Sequence, residues 1–201
     1  METIIFEKIN GLIPAESFLS DAVIFFGSSF PYLIILVVLT VFVFPNLFTT
    51  GIKERTLRIG IVTGLFAAFF ARYGVKELIT FFYSSPRPFE VLDGVNQLIP
   101  HDGLMNSFPS GHTIFFFALG TVLVFYSRSL GIFVFISGLF VGLARIASGI
   151  HWPSDVIGGA SIGILVGVLF FAFLASFVYL NGSSDPSFKT LRGIIKARSI
   201  K

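Results

Sequence analysis

Long apolar segments alternate with short polar ones along this chain. Each apolar segment approaches the roughly 20 residues that a helix needs to cross the hydrocarbon core of a bilayer. Prolines, glycines and charged residues cluster between the segments and mark the ends of the predicted helices. The pattern predicts spans at about residues 30–44, 57–82, 110–126, 130–148 and 155–180. We therefore expect an all-α integral membrane helical bundle with five to six transmembrane helices.

The first 28 residues decide between five and six spans. They mix acidic side chains with Ile, Phe and Leu, and Asp21 would be costly in hydrocarbon. This favours an amphipathic helix at the membrane interface over residues 1–28, and a short membrane helix is the alternative. We expect one transmembrane domain over residues 29–182, followed by a basic tail over residues 183–201.

Composition narrows the class of protein. Of the 201 residues, 54% are hydrophobic and 12% are charged, which is far too apolar for an ordinary soluble domain. The absence of cysteine excludes disulfides, thiol catalysis and thiolate metal sites. Three histidines leave little room for a histidine metal cage. We expect membrane lipids as partners and no nucleic acid, metal or cofactor, while the oligomeric state stays open.

Basic residues predict the orientation of the bundle. Lys53, Arg55, Arg58, Arg128 and the basic tail all fall at one face of the membrane. The long polar stretch at about 83–108 and the link at 149–154 fall at the other face. Because positively charged loops stay cytoplasmic, the tail is expected inside and the two polar stretches outside. Three polar motifs that are far apart in sequence then meet at one membrane face.

The most informative motif contains Arg145, His151 and Asp155. Arg145 lies in an apolar stretch, where an unpaired guanidinium is costly and a bound anion would remove the cost. Asp155 is placed to accept one ring N–H of His151, which leaves the other ring nitrogen as a nucleophile. Pro153 between them suits the first turn of the last helix. A helix-capping Asp beside an interfacial His is the alternative.

A second motif precedes a strongly apolar helix at Pro109-Ser110-Gly111-His112. Ser110 is suited to the N-cap position, and Gly111 permits close approach to the free backbone N–H groups of the first turn. These groups favour an anion, and His112 is placed to protonate a leaving oxygen. The alternative is a plain helix start with a surface histidine.

Two more cations complete the predicted anion site. Arg87, followed by Pro88, supplies a guanidinium fork suited to phosphate oxygens. Lys76 lies near the end of the second span, and its alternative role is snorkelling to headgroups or pairing with Glu77. Arg72, one turn earlier, is interpreted as a pairing or interfacial charge. The motifs together indicate a site that binds a phosphate carried on a lipid.

In order and spacing, these motifs resemble those of the type-2 phosphatidic acid phosphatase superfamily. Its signature combines Lys-x6-Arg-Pro, Pro-Ser-Gly-His and Ser-Arg-x5-His-x3-Asp. The second part is exact at residues 109–112, and the third is matched except that Ala144 replaces Ser. The first part is matched at Arg87 and Pro88, but Thr80 occupies the lysine position and the nearest lysine is Lys76.

The resemblance implies metal-independent hydrolysis of a lipid phosphate or diphosphate through a phosphohistidine intermediate. His151 would attack phosphorus, Asp155 would orient His151, and His112 would protonate the leaving group. The residues implied to bind the phosphate are Lys76, Arg87, Ser110, Gly111 and Arg145.

The small size and the loop from Arg87 to Pro109 look most like bacterial undecaprenyl-diphosphate phosphatases. These recycle the cell-wall lipid carrier at the outer face of the inner membrane, which agrees with the orientation predicted from charge. The alternatives are a phosphatidic acid or phosphatidylglycerol phosphate phosphatase and a lipid phosphotransferase. A transporter or a non-catalytic lipid-binding protein is the alternative from a different class.

Overall fold

The computed structural model describes residues 1–47, 54–101, 106–180 and 193. These residues are largely helical and contain no β-strand, which confirms the predicted all-α bundle. The basic residues of the predicted tail, like Lys53, lie outside the described residues. The helices are α1 Glu2–Gly11, α2 Phe18–Val43, α3 Glu54–Phe82, α4 Pro88–Val91, α5 Gly111–Tyr126, α6 Arg128–Ala147 and α7 Pro153–Leu180.

Each of the five predicted spans coincides with one of these helices. Within the described residues, α2, α3, α6 and α7 are long and apolar enough to cross a membrane. Helix α5 has only 16 residues and is also strongly apolar. It is surrounded by α3, α6 and α7, and most of its side chains are buried. Because other helices surround α5, it does not need a lipid-facing surface as long as that of the other spans.

Helix α2 begins earlier than the sequence analysis predicts. It starts at Phe18 and therefore includes Asp21, which was expected to lie outside the membrane span. Ser17 and Ser20 form a reciprocal capping box at its start, with N···O distances of 3.2 and 2.8 Å. Asp21 is exposed in the first turn, where a carboxylate interacts favourably with the helix dipole. A charge near the end of a membrane helix costs far less free energy than a charge at its centre.

Close packing of α5 against α7 sets the position of the functional loops. A Cβ on Gly159 would lie 2.9 Å from the carbonyl oxygen of Ser110, and one on Gly163 would lie 2.5 Å from that of Ile114. Small residues allow the two backbones to approach this closely, as in many membrane helix pairs. The start of α7 is thereby fixed beside the start of α5.

Helix α1 packs across the link between α6 and α7. Phe6 is 1% exposed, and its ring lies 5.2 Å from that of Trp152. The side-chain amide of Asn10 donates to the carbonyl oxygens of Ala147 and Asn96, both at 2.9 Å. Glu2 accepts the backbone N–H of Ser154 at 2.8 Å. The N-terminal helix is therefore anchored to the loop that carries His151.

Candidate active site

A tight turn between α6 and α7 presents His151. Gly149 has a φ of +83°, a left-handed conformation that glycine adopts without strain. A Cβ here would also lie 2.8 Å from the carbonyl oxygen of Asn96, so a side chain would collide with the neighbouring loop. Pro153 is the first residue of α7, as the sequence predicts. The turn places His151 and Asp155 in contact.

One carboxylate oxygen orients the His151 ring. Oδ2 of Asp155 accepts the backbone N–H of Trp152 at 2.7 Å and lies 3.1 Å from Nδ1 of His151. Ser107 donates its hydroxyl to the same oxygen, and its Oγ lies 3.4 Å from Nδ1 of His151. The carboxylate favours the tautomer with the proton on Nδ1, which leaves Nε2 as the nucleophilic nitrogen.

The segment before α5 is joined directly to the start of α7. The backbone N–H of Ser110 donates to the carbonyl oxygen of Asp155 at 3.0 Å. Ser110 occupies the N-cap position as predicted, but its side chain makes no capping hydrogen bond. Its Oγ instead accepts from the hydroxyl of Thr113 at 3.1 Å. No hydrogen bond within the described chain engages the N–H groups of Gly111, His112 and Thr113, so the anion-binding end of α5 is open.

Arg87 connects the long polar loop to the His151 turn. It is 3% exposed, and its Nη1 donates to the carbonyl oxygen of Ile150 at 2.7 Å. Nη2 lies 3.5 Å from the carbonyl oxygen of Asn106, and the indole of Trp152 donates to that of Pro86 at 2.9 Å. Arg87 therefore contributes both a buried positive charge and the attachment of its loop.

Arg145 approaches the site from the last turn of α6. Its Nη1 donates to the carbonyl oxygen of Gly27 at 3.3 Å, and the side chain is 8% exposed. Its Nε is buried and has no hydrogen-bond partner among the described residues. Ala144 occupies the position where the family signature has Ser, and it packs beside Gly27 of α2. The guanidinium is buried with donor capacity left over, a condition that favours a bound anion.

Lys76 and Arg72 reach the site from α3. A turn with π-helical hydrogen bonding, Ala71–Val75, carries Arg72 and directly precedes Lys76. A Cβ on Gly111 would lie 3.1 Å from Nη1 of Arg72 and 3.5 Å from Cδ of Lys76. Arg72, interpreted from sequence as a pairing or interfacial charge, makes no ion pair within the described chain. Thr80, at the family lysine position, donates its hydroxyl to the carbonyl oxygen of Glu77 at 3.0 Å.

Burial and the surrounding positive charges both favour the neutral form of His151. Burial lowers the pKa of His151 well below its usual value of 6.5, and the positive charges of Arg145, Arg87 and Lys76 lower the pKa further. A neutral imidazole is the form that attacks phosphorus. The cations that are placed to attract an anion therefore also favour the unprotonated form of His151.

An apolar cavity of about 360 Å³ opens beside His112. It runs between α2, α3 and α5, and its lining includes Tyr32, Ile35, Leu65 and Phe69. Among its lining side chains are one arginine, Arg72, and one histidine, His112. A phosphate held at His112 would therefore have an apolar space beside it for the chain that carries it.

The structure brings the predicted site residues together at one end of the bundle: Lys76, Arg87, Ser110, Gly111, His112, Arg145, His151 and Asp155. Sequence reasoning missed two neighbours, Ser107 and Arg72. A loop serine has no distinctive pattern, so no signal identified Ser107. Arg72 did offer a signal, because the cost of a charge in an apolar span applies to it as it does to Arg145.

Within the described residues, no group of three or more His, Asp or Glu side chains is arranged to hold a metal ion. The chemistry available from the site itself is nucleophilic. A histidine oriented by a carboxylate, a second histidine and several cations equip a membrane protein for transfer of a phosphoryl group.

Residues 61–179 match the PAP2 superfamily, and the chain belongs to this family. It is 36% identical to undecaprenyl-diphosphatase BcrC of Bacillus subtilis (strain 168), over 84% of this chain and 82% of that protein. It is 32% identical to a protein of Bacillus licheniformis named bacitracin transport permease protein BcrC, over 83% and 77% of the two chains. The crystal structure of Aquifex aeolicus LpxE matches with a TM-score of 0.62 and 30% identity, covering 85% of this chain and 94% of that one.

These similarities confirm the family resemblance drawn from the motifs. The chain is an integral membrane enzyme of the PAP2 superfamily and a hydrolase of lipid phosphates.

Proposed function

We propose that this protein converts undecaprenyl diphosphate to undecaprenyl phosphate and inorganic phosphate through a phosphohistidine on His151. The observation that carries the mechanism is the contact of Nδ1 of His151 with the Asp155 carboxylate, 3.1 Å away, in a site surrounded by cations. The lipid is proposed from the similarity to the Bacillus subtilis undecaprenyl-diphosphatase, which extends over most of both chains.

In the first step, Nε2 of His151 attacks the terminal phosphorus. The N–P bond forms as the bond from phosphorus to the bridging oxygen breaks, and the lipid monophosphate departs. His112 transfers its proton to the departing phosphate. Arg87, Arg145 and Lys76, with the N–H groups at the start of α5, stabilise the charge on the transferring phosphoryl oxygens.

In the second step, water attacks the phosphohistidine. His112 accepts a proton from the water as the new P–O bond forms and the N–P bond breaks. Inorganic phosphate leaves and His151 returns to its neutral state. The sum is one diphosphate and one water converted to one monophosphate and one phosphate, without a metal or cofactor.

The orientation in the membrane is part of the proposal. Arg58, near the start of α3, and Arg128, at the start of α6, lie at the end of the bundle away from His151. Packing of Gly60 against Tyr126 places the start of α3 beside the end of α5 at that same end. Positively charged ends stay cytoplasmic, so the active site faces the extracytoplasmic side and the C-terminus the cytoplasm.

The experiment is phosphate release by purified protein in detergent, with chelator present. The substrates are undecaprenyl diphosphate, phosphatidic acid and phosphatidylglycerol phosphate. His151→Ala is the test variant, and Arg128→Met, an exposed site at the opposite end, is the control. We expect release that is fastest with the diphosphate, persists in chelator and is lost in His151→Ala alone. Quenching in alkaline detergent followed by electrophoresis at alkaline pH is expected to trap an alkali-stable, acid-labile phosphoryl group on the wild type.

Other outcomes would contradict parts of the proposal. Preference for phosphatidic acid or phosphatidylglycerol phosphate would assign a different lipid. Phosphate that appears only on a second lipid would identify a phosphotransferase. Release that stops in chelator and continues in His151→Ala would eliminate the phosphohistidine mechanism, and no release at all would favour a transport role.

A further inference from the structure

Arg72 differs from the other arginines of the site in what its guanidinium contacts. Arg87 and Arg145 donate to the backbone carbonyls of Ile150 and Gly27. Arg72 makes no hydrogen bond within the described residues, and its guanidinium lies over the Tyr73 ring at 5.4 Å. The side chain is half-buried. Its charged guanidinium is therefore partly removed from water while all its hydrogen-bond donors stay available. Such a group favours an anionic partner.

The position of Arg72 specifies where that anion lies. Arg72 shares the apolar cavity with His112, while Arg87 and Arg145 do not line it. Its Nη1 approaches Gly111, at the open N-terminal end of α5. Arg72 also lies within electrostatic range of His112, together with Lys76 and Arg145. Arg72 is therefore located beside His112, at the cavity that would accommodate the lipid.

The backbone geometry of α3 around Arg72 supports its placement beside Gly111. Arg72 belongs to the π-helical turn Ala71–Val75, and single π-helical turns occur frequently at functional sites. The wider turn changes the direction in which Arg72 and the following Lys76 leave the helix. Both side chains consequently reach Gly111 although the family lysine position is occupied by Thr80.

The chemistry of a diphosphate requires a cation at this place. When His151 attacks the terminal phosphorus, the leaving group is a phosphate that is still attached to the lipid. Negative charge grows on that phosphate, on the side of His112 and the apolar cavity. A lipid monophosphate has no second phosphate there, because its leaving group is an alcohol. A cation at this point would therefore assist cleavage of diphosphates selectively.

We propose that Arg72 binds the phosphate that remains on the lipid, and that this contact gives the enzyme its preference for diphosphates over monophosphates. The inference rests on the proposed function, since it concerns the leaving group of that reaction. Arg72 is then a specificity-determining residue, distinct from the cations that bind the transferring phosphoryl group.

The test compares two substrates with one tail, farnesyl diphosphate and farnesyl monophosphate. Full-length protein in detergent is assayed as wild type, Arg72→Met, Arg72→Lys, Lys76→Met and Arg128→Met. We expect Arg72→Met to lower kcat/KM for the diphosphate about thirtyfold, as loss of a charge-assisted hydrogen bond predicts, and to change the monophosphate value less than about threefold. Arg72→Lys retains the charge and should recover part of the loss.

Lys76→Met is the matched variant and is expected to lower both values equally, because Lys76 is assigned to the transferring phosphoryl group. Farnesyl monophosphate, the product of the diphosphate reaction, should also inhibit Arg72→Met more weakly than wild type. Retained monophosphate hydrolysis shows that the variant is folded. Equal losses on both substrates, or none, would overturn the assignment of Arg72. Wild-type protein inactive on every diphosphate would refute the proposed function instead.

Discussion

Two groups of side chains border the active site, and the protein holds them in contrasting ways. His151, Asp155, Ser107 and Arg87 form the first, and hydrogen bonds to one another and to the backbone fix each of them. Arg72, Lys76 and His112 form the second, and among the described residues they make no hydrogen bonds and border an apolar cavity or pack on Gly111. The proposed nucleophile thus has one fixed geometry, while the side chains proposed to meet the lipid keep their donors available for a substrate.

The largest effect should come from the fixed group. His151→Ala removes the proposed nucleophile itself, so we expect kcat to fall at least about a thousandfold with the helical fold unchanged. Phosphate release and circular dichroism of the purified variant check this. Activity within tenfold of wild type would show that His151 is not the group that attacks phosphorus.

His112→Ala tests the second group. Loss of a general acid lowers turnover about a hundredfold or more, so the phosphohistidine should form more slowly. A good leaving group needs less help from a proton donor. Hydrolysis of p-nitrophenyl phosphate should therefore lose less rate than hydrolysis of farnesyl monophosphate, whose leaving group is an alcohol. Equal losses on both substrates would argue against proton donation by His112.

Ser107→Ala tests whether the hydroxyl that contacts Asp155 positions the nucleophile. We expect about a tenfold lower kcat with little change in KM, since Asp155 keeps the Trp152 N–H but orients His151 less firmly. The acidic limb of the pH profile should move as well, which a purely structural role would not cause. Ser161→Ala, exposed on α7, is the matched control.

Asn10→Ala tests the support that α1 gives to the fixed group. The substitution removes hydrogen bonds to Ala147 and Asn96, so we expect a loss of stability of about 1–3 kcal/mol. The melting temperature in detergent should fall, and kcat should drop only a few-fold as the His151 turn loosens. Asn46→Ala, an exposed control, should change neither value.

The smallest expected effect is that of mild acid. The folded pKa of His151 lies below 6.5, so the residue stays neutral as the pH falls from 7 to 6. The rate of phosphohistidine formation should therefore fall by less than about twofold over this interval. As the pH falls, His151 binds a proton in the unfolded chain at a higher pH than in the folded protein. His151 therefore lowers the free energy of unfolding only below about pH 6.5. Single-turnover measurements across this range provide the check, and a threefold loss by pH 6 would contradict a lowered pKa.

The order and spacing of residues in the sequence predicted a good part of the arrangement of the active site. Pro109–His112 and the spacing from Arg145 to Asp155 predicted which side chains would meet, because helix starts and tight links leave few alternatives. Asp21 shows a limit of such reasoning, because the helix that contains it begins at Phe18 and the cost of a charge depends on its depth in a membrane helix. Arg72 shows the same limit, because the turn with π-helical bonding that directs it toward Gly111 has no clear sequence signal.

The sequence by itself determined the class of protein, the all-α membrane bundle and most of the site, since apolar length and motif spacing are local properties. Only the tertiary structure decided which cation borders the apolar cavity and which one contacts the His151 turn. Three features join residues that are distant in sequence: Arg72 at the apolar cavity, the Ser107 hydroxyl on Asp155, and the Asn10 side chain on Ala147. Such contacts depend on how helices pack, and packing is a property of the whole chain.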